Sequence, residues 1–257
     1  MMNCNKYVPI LTYHRVVPIK PSVPRHGIWV EVKKFRQQMK LLHFMGFNTI
    51  SIDMLASGEK LPRKPIIITF DDGYQDNYLY AFPILKQYGF TATIFLVSGQ
   101  INGVNQWDIL HGEEQLPLVS IDEIQEMAKH GISFGGHTVT HPHLPQLDRD
   151  TAFEEIVKCK KELEEIIEQD VTAFCYPYGE FDQEVKQMVR DAGFKCACAC
   201  DTEVDDLYEL RRIQVFPKTD LFGFWRKTRW WYRRAQGKNR LRRLKVCGMA
   251  ACNNSAI

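Results

Sequence analysis

From about residue 65 onward, short β-rich runs alternate with longer helical stretches, and this alternation limits the folds open to the chain. The first run, PIIITF (65–70), is continuously apolar, as expected of a parallel strand buried on both faces. Later strands are predicted at 91–97, 131–136, 171–177 and 194–200. The pattern predicts an α/β fold with a parallel sheet, either open or closed into a barrel. In both arrangements a site is expected in the loops that leave the carboxyl ends of the strands.

Helices are predicted between these strands, at 77–89, 120–131, 148–170 and 182–193. The second of them begins with Ser120 as N-cap and Glu123 as its capping-box partner, and it ends at Gly131. Residues 98–119 are the longest irregular stretch, and they form either a loop over the site or a simple surface insertion. Because the chain has no internal repeat and no low-complexity linker, we expect one main domain.

The composition is that of a globular protein with a sizeable core, with 45% apolar and 25% charged residues among 257. No segment approaches the roughly 20 apolar residues that are needed to cross a bilayer. The first residues, MMNCNKYVPILTYHRVV, lack the basic stretch and the continuous apolar run of a secretory signal. We therefore expect a cytoplasmic protein.

Three of the eight cysteines, Cys196, Cys198 and Cys200, alternate along the last predicted strand and would face the same way. They could form a metal or redox cluster, or they could pack as small core residues. Zinc sites favour Cys-x2-Cys spacing, which this strand lacks, so the spacing favours core packing. A disulfide framework is typical of short secreted chains, and we expect none here.

Two adjacent carboxylates, Asp71 and Asp72, follow the strongest predicted strand in the motif TFDDGY (69–74). Neighbouring carboxylates repel one another unless a cation lies close to them. Gly73 allows a tight turn and a close backbone approach. By itself, Asp-Asp-Gly is also compatible with an ordinary turn.

Histidines cluster after another predicted strand, in GGHTVTHPHL (135–144). His137 and His141 are four residues apart, which suits one helical face or a tight loop around a single ion. Two imidazoles and one carboxylate can bind a metal and leave positions open for water and substrate. His143 is not needed for this site. A single histidine is usually structural, but this cluster, together with the upstream carboxylates, indicates a site.

A third motif, FCYPYGEFD (174–182), also follows a predicted strand. Pro177 and Gly179 predict a rigid turn around Tyr178, whose backbone N–H groups could point into the site. The same residues would also serve a strand-to-helix turn that has no catalytic role.

TFDDGY, HTVTH and YPYG, in this order and at strand ends, resemble the polysaccharide deacetylase family, which is the NodB-homology fold of carbohydrate esterase family four. The resemblance spans about residues 7–216. It implies a distorted (β/α) barrel with fewer than eight regular units. It also implies a set of roles: Asp71 as general base, Asp72, His137 and His141 as metal ligands, and the turn at Pro177 and Tyr178 as the source of an oxyanion N–H.

Many members of this family have a late catalytic histidine, but this chain has no histidine after His143. It has instead ILTYHRV (10–16), similar to the branch that deacetylates poly-N-acetylglucosamine, in which the acid histidine lies near the N-terminus. The resemblance therefore assigns the acid role to His14, although a buried structural histidine would fit the same strand. The late Asp-Arg arrangement of other members is not evident, and Arg212 is the candidate for the oxyanion and substrate side of the site.

The resemblance implies a metal-dependent hydrolase that removes an N-acetyl group from an amino sugar, in a glycan or a lipid-linked saccharide of the cell envelope. Zinc is the expected cofactor, and the donor set also accepts Co, Mn, Ni or Fe. Deformylation or hydrolysis of another non-peptide amide on the same fold is an alternative. A second alternative is a glycan-binding protein with an impaired site.

The C-terminal part is strongly basic, because residues 223–245 hold ten Lys and Arg and no acidic residue follows Asp220. The other 23 basic residues stand against 31 acidic ones, so the rest of the chain carries a formal charge of −8.

We divide the chain into a deacetylase domain (1–222) and a basic aromatic segment (223–257). Its predicted helix either contacts a membrane peripherally through 221–245, at the inner face of the cell membrane, or packs on the barrel. The acidic body offers no continuous basic groove, so we expect no nucleic acid partner.

Overall fold

The computed structural model describes residues 8–21, 27–111, 114–200, 206–229 and 231–232. Strands within these ranges are short and are numbered along the chain: β1 (Ile10–Tyr13), β2 (Arg15–Val17), β3 (Trp29–Glu31), β4 (Asn48–Thr49), β5 (Pro65–Phe70), β6 (Thr93–Leu96), β7 (Ser133–Gly136), β8 (Ala173–Cys175), β9 (Cys196–Ala199), β10 (Leu210–Arg211) and β11 (Ile213–Gln214).

Helices alternate with the strands: α1 (Val32–Phe44), α2 (Ile52–Ser57), α3 (Phe82–Gln87), α4 (Ile121–Lys129), α5 (Arg149–Ile167), α6 (Gln183–Asp191) and α7 (Leu221–Lys227). The predicted capping box of α4 is present, since Ser120 and Glu123 bond to each other's backbone N–H groups. The stretch predicted as one helix over 77–89 begins instead with a π-helical turn, Asn77–Ala81, before α3.

The main sheet is entirely parallel, in the order β10-β9-β8-β7-β6-β5-β1-β11, and β4 pairs with β5. Its two end strands, β10 and β11, are separated in the chain by a single residue, Arg212. The sheet is therefore a nearly closed barrel of eight parallel strands, and Arg212 lies at the closing seam. The predicted (β/α) barrel is confirmed.

Alternation along β5 divides its side chains between two layers of core. Ile66, Ile68 and Phe70 pack in the layer that the helices cover, whereas Ile67 packs in the barrel interior. Because side chains alternate along a strand, Thr69 and the next odd position, Asp71, follow Ile67 on the interior side. The period of the strand thus directs one carboxylate into the mouth of the barrel.

The described cysteines are free, and most of them are core residues. Cys175, Cys196 and Cys198 pack together in the barrel interior, so core packing is the correct interpretation for the latter two. Cys200 lies just beyond β9 and is half-buried. Cys4, Cys247 and Cys252 lie outside the described residues.

The last helix packs on the barrel, because Phe224 of α7 is fully buried in the same core as α1 and β5. The predicted domain boundary between 222 and 223 falls inside this helix, and barrel packing continues to Thr228, which is 5% exposed. Most of the basic run beyond it lies outside the described residues. In the part of the chain that is described, no helix has the length and apolar character to cross a membrane.

Candidate active site

The predicted site residues converge at the carboxyl ends of the barrel strands. Asp71 and Asp72 follow β5, and His137 follows β7. The Pro177 turn comes two residues after β8, and Arg212 lies between β10 and β11. Because all these strands are parallel and neighbours in one barrel, their ends open on a single mouth.

A compact group of ligand atoms is formed by Asp72, His137 and His141, whose donor atoms all lie within 4.8 Å of one another. The Asp72 Oδ1 atom is 3.4 Å from His137 Nε2 and 3.5 Å from His141 Nε2. All three side chains are buried. Two imidazole nitrogens and one carboxylate oxygen at such separations fit a single divalent cation with open coordination positions.

Hydrogen bonding fixes the ring of His137 in the orientation that a metal ligand needs. Its Nδ1 lies 2.7 Å from the carbonyl oxygen of Cys175, an atom that can only accept a hydrogen bond. The Nδ1–H therefore donates to this carbonyl, and Nε2 is the ring nitrogen that faces Asp72. Such a second contact is typical of metal-ligating histidines.

The loop that contains both histidines is held by Glu155 of α5. One oxygen of this carboxylate accepts hydrogen bonds from Val139 N and Thr140 N, at 2.8 and 2.9 Å. Inside the loop, the His141 N–H donates to Thr138 Oγ1 at 3.0 Å. Thr138 and His141 both have positive φ angles, 67° and 64°. This strained conformation is held by the hydrogen bonds to Glu155 of α5, and it orients His141.

The Asp-Asp-Gly turn is also strained at Asp72, which has a φ angle of 72°, whereas Gly73 adopts its φ angle of 71° without steric cost. A Cβ atom on Gly73 would lie 2.7 Å from Leu96 Cδ2, so a larger residue does not fit there without displacement. This turn sends Asp71 and Asp72 in different directions. Asp71 joins the barrel interior, and Asp72 joins the histidines.

Asp71 is held by Arg212 in a bidentate ion pair. The Nη1–Oδ1 and Nη2–Oδ2 distances are 2.5 and 2.8 Å, and the two residues are 2% and 3% exposed. Burial raises the pKa of the Asp71 carboxyl, but the Arg212 guanidinium and nearby histidines outweigh burial and hold the pKa below its usual value. Asp71 is therefore ionised at neutral pH and can accept a proton. Arg212 was predicted on the oxyanion and substrate side; in the structure its Nη1 and Nη2 donate to Asp71, and the predicted role stays a prediction.

His14 lies on the other side of Asp71. It occupies the break between β1 and β2, one residue beyond the strand on which it was predicted. Its Nε2 is 3.7 Å from Asp71 Oδ2, and its carbonyl accepts a hydrogen bond from Asn77 Nδ2 at 2.7 Å. The side chain is 19% exposed, so it can reach both the mouth and the carboxylate.

The electrostatic surroundings of His141 and Asp72 suit both residues to a role as metal ligands. Burial, followed by the neighbouring His137, lowers the pKa of His141 to about 3, so this ring is neutral and free to act as a ligand. Burial raises the pKa of Asp72, but its hydrogen bond with His137 and the surrounding histidines outweigh this and keep the pKa below its ordinary value. The carboxylate is therefore anionic, as a metal ligand must be.

Aromatic rings surround the exposed side of the metal site. Tyr178, which has a φ angle of 58°, lies 4.5 Å from the His141 ring and stacks on His143 at 4.0 Å. Trp107 lies 4.7 Å from His141, so the 98–119 stretch reaches the site through this residue. The structure places Pro177 and Tyr178 beside the ligands. The oxyanion role of the Tyr178 N–H stays a prediction, and Pro177, which has no backbone N–H, only shapes the turn.

Sequence reasoning missed several residues that shape the site. Glu155 was part of a predicted helix, and Cys175 was part of a predicted strand, without any role in either case. Trp107 could have been found from the sequence, because it lies in the irregular stretch 98–119, which was a candidate loop over the site. Cys175 Sγ accepts from Arg212 Nη2 at 3.0 Å, and it shares a second candidate ligand group with Asp71 and His137.

Comparison with known proteins agrees with this geometry. The profile of the polysaccharide deacetylase family matches residues 58–197, which include the metal triad and Asp71. The chain is 30% identical to YxkH of Bacillus subtilis, named as a polysaccharide deacetylase, over 218 residues that are 82% of this chain and 72% of that protein. This chain belongs to the polysaccharide deacetylase family.

Other similar proteins extend the comparison. A poly-β-1,6-N-acetyl-D-glucosamine N-deacetylase of Staphylococcus aureus is 28% identical over 178 residues, which are 65% of this chain. The match spans 59% of that relative, less than two thirds of its length. Among solved structures, the deacetylase PplD of Streptococcus pyogenes, in complex with acetate, superposes with a TM-score of 0.74 and 26% identity, covering 86% of this chain and 98% of PplD.

Membership of the polysaccharide deacetylase family confirms three predictions that were made from the motifs. The fold is the deacetylase (β/α) barrel, the chain is a hydrolase of the carbohydrate N-deacetylase class, and this class is metal-dependent. His14 and Arg212 lie outside the residues that the family profile matches. Their roles therefore depend on the geometry of this chain.

Proposed function

We propose that this protein releases acetate from N-acetylglucosamine units of a β-1,6-linked glycan, with one zinc ion bound by Asp72, His137 and His141. The observation that carries the proposal is the buried triad beside an Asp71 carboxylate that lies between Arg212 and His14. The substrate is supported by the names of the Staphylococcus aureus relatives and by the early position of His14.

The donor set suits zinc, although two imidazoles and a carboxylate also accept Co, Mn, Ni or Fe. When bound, such a cation lowers the pKa of a water ligand towards neutrality and polarises the amide carbonyl. Asp71, kept ionised by Arg212, accepts a proton from the attacking water. The Tyr178 N–H would donate to the carbonyl oxygen as negative charge develops on it.

Cleavage of the amide needs a proton on the departing nitrogen. The water oxygen bonds to the carbonyl carbon, the C–N bond breaks, and the products are acetate and the free amine. His14 is the proton donor in this proposal, because its Nε2 lies at the mouth, 3.7 Å from Asp71 Oδ2. The water proton taken by Asp71 returns to solvent or to His14 after the products leave.

The test of the substrate is acetate release from matched oligomers of N-acetylglucosamine that differ only in linkage. We expect the β-1,6-linked oligomer to be deacetylated with a kcat/KM at least about tenfold above that of the β-1,4-linked one. N-formyl analogues of the same oligomers distinguish a deformylase, which would prefer them. Binding of the oligomers without any release, in metal-loaded protein, would favour a glycan-binding protein and contradict the proposal.

His14→Ala is expected to separate amide hydrolysis from ester hydrolysis. The variant should lose about 10²-fold or more in acetate release from the amide, because an amine is a poor leaving group unless it is protonated. Hydrolysis of 4-nitrophenyl acetate should change much less, since nitrophenolate leaves without a proton. Both rates are followed on one preparation, with His43→Ala of α1 as the control. Equal losses on both substrates would remove the acid role from His14.

The cytoplasmic location that we predict from the composition and the first residues stays a prediction. The saccharide partner follows from the enzyme class.

A further inference from the structure

One edge of the protein exposes a group of large apolar side chains around the start of α7. Phe216, Leu221 and Phe222 are 42%, 43% and 65% exposed, and Trp225 and Trp231 are half-buried beside them. Phe222 stacks on Trp225 at 5.6 Å, and Trp225 contacts Trp231 edge-on at 6.3 Å. We call these five residues the rim surface.

The rim surface is not needed to hold α7 on the barrel. Other residues of this segment do this, namely Phe224 and Thr228, which are 0% and 5% exposed. Leu221 and Trp225 lie three residues before and one residue after Phe224 in the helix. The structure separates them, so a helix that packs on the barrel still leaves an apolar surface without a partner among the described residues.

Cationic side chains lie next to the aromatic rings of the rim surface. The guanidinium of Arg226 lies 5.8 Å from the Trp231 ring, and that of Arg229 lies 5.4 Å from the Trp225 ring. Lys218 is exposed between Phe216 and the helix. The sequence continues with seven Lys and Arg between 233 and 245 and no acidic residue. The charge of the surface is therefore opposite to that of anionic lipid headgroups.

The rim surface lies at the same end of the barrel as the active site. Phe216 comes two residues after the carboxyl end of β11, and α7 begins five residues later. The chain there is fixed to the start of α1, because Lys34 Nζ donates to Pro217 O at 2.7 Å. A surface that binds a membrane at this end would bring the mouth of the barrel close to the bilayer.

We propose that the rim surface docks the protein peripherally on a bilayer that contains anionic lipids. Aromatic and leucine side chains enter the interface between headgroups and acyl chains, and the Arg and Lys side chains bind the headgroups. The docked enzyme deacetylates a glycan that is attached to the same membrane; this last step rests on the proposed function, whereas the docking does not.

The test is flotation of the full chain with vesicles of phosphatidylcholine, with and without phosphatidylglycerol, at about 0.15 M salt. We expect binding to the anionic vesicles and a marked decrease at high salt. Leu221→Ser combined with Phe222→Ser should lower the partition coefficient by about tenfold or more. Arg226→Gln combined with Arg229→Gln should lower it by about tenfold as well.

Phe44→Ser is the matched control, since Phe44 is 87% exposed but lies at the far end of α1. It should leave binding unchanged, and all variants should hydrolyse a soluble substrate at the wild-type rate.

The proposal is overturned if the full chain does not bind anionic vesicles, or if Phe44→Ser lowers binding as much as the rim variants do. It is also overturned if light scattering shows a dimer that the rim variants dissociate and vesicle binding is absent, because the surface would then join two copies. Loss of soluble activity in the wild type, with vesicle binding intact, would count against the proposed function alone.

Discussion

Asp71→Asn is expected to lower the rate of acetate release by about 10³-fold, which is within the range of a lost general base. The neutral amide cannot accept the proton of the attacking water. Its oxygen can still accept a hydrogen bond from Arg212, so the closing seam of the barrel keeps one of its contacts. Asp72 faces away from this pair and towards the histidines, and the metal site should therefore stay intact.

The measurement is kcat on an N-acetylglucosamine oligomer, with far-ultraviolet circular dichroism as the check on folding. Asp122→Asn, in the first turn of α4 and on the surface, is the matched control and should retain the wild-type rate. A folded Asp71→Asn protein that worked within tenfold of the wild type would show that another group is the base.

Arg212→Met is expected to have the largest effect on stability, a loss of about 3 kcal/mol in the free energy of unfolding. Arg212 is 2% exposed and makes both hydrogen bonds to a carboxylate that is equally buried. Removing it leaves the Asp71 charge in the barrel interior with only the more distant His14, 3.7 Å away, and the loss of the guanidinium raises the pKa of that buried carboxyl. A base that holds its proton is inactive, so we also expect kcat/KM to fall by about 10²-fold.

Two further variants separate a broken ion pair from a simple packing defect. Arg212→Met combined with Asp71→Asn should recover much of the lost stability in urea unfolding, because it removes the buried charge that has lost its closest partner, but it should not recover activity. Arg149→Met is the control, since Arg149 is 74% exposed in an ion pair with Glu184, and it should change stability by less than about 0.5 kcal/mol. If the double variant were as unstable as Arg212→Met, the ion pair would not be the cause.

Much of the barrel could be predicted from the sequence, because local patterns determine it. A continuously apolar run such as 65–70 is typical of a strand that is covered on both faces, and the structure has a strand with these limits. The capping box at Ser120 fixed the start of α4 in the same way. The motifs at 71, 137 and 177 were each placed at a strand end, and parallel pairing then brought them to one mouth.

What the sequence could not provide was the set of contacts between distant segments. Arg212 and Asp71 are 141 residues apart, and the bidentate geometry follows from the register at the closing seam. Glu155 acts through the crossing of α5 over the histidine loop, which no local pattern reveals. The burial of α7 likewise depends on which of its residues meet the barrel, since Phe224 is fully buried whereas Leu221, three residues earlier, is 43% exposed.

The proposed mechanism gives two adjacent carboxylates different roles, Asp71 as base and Asp72 as metal ligand. Atomic emission analysis of zinc in the wild type, Asp71→Asn and Asp72→Ala, purified and loaded identically, tests it directly. We predict about one zinc ion per chain in the wild type and in Asp71→Asn, and less than about one tenth of that in Asp72→Ala, which should also lack deacetylase activity. Full zinc content and acetate release in folded Asp72→Ala would contradict the metal site described above.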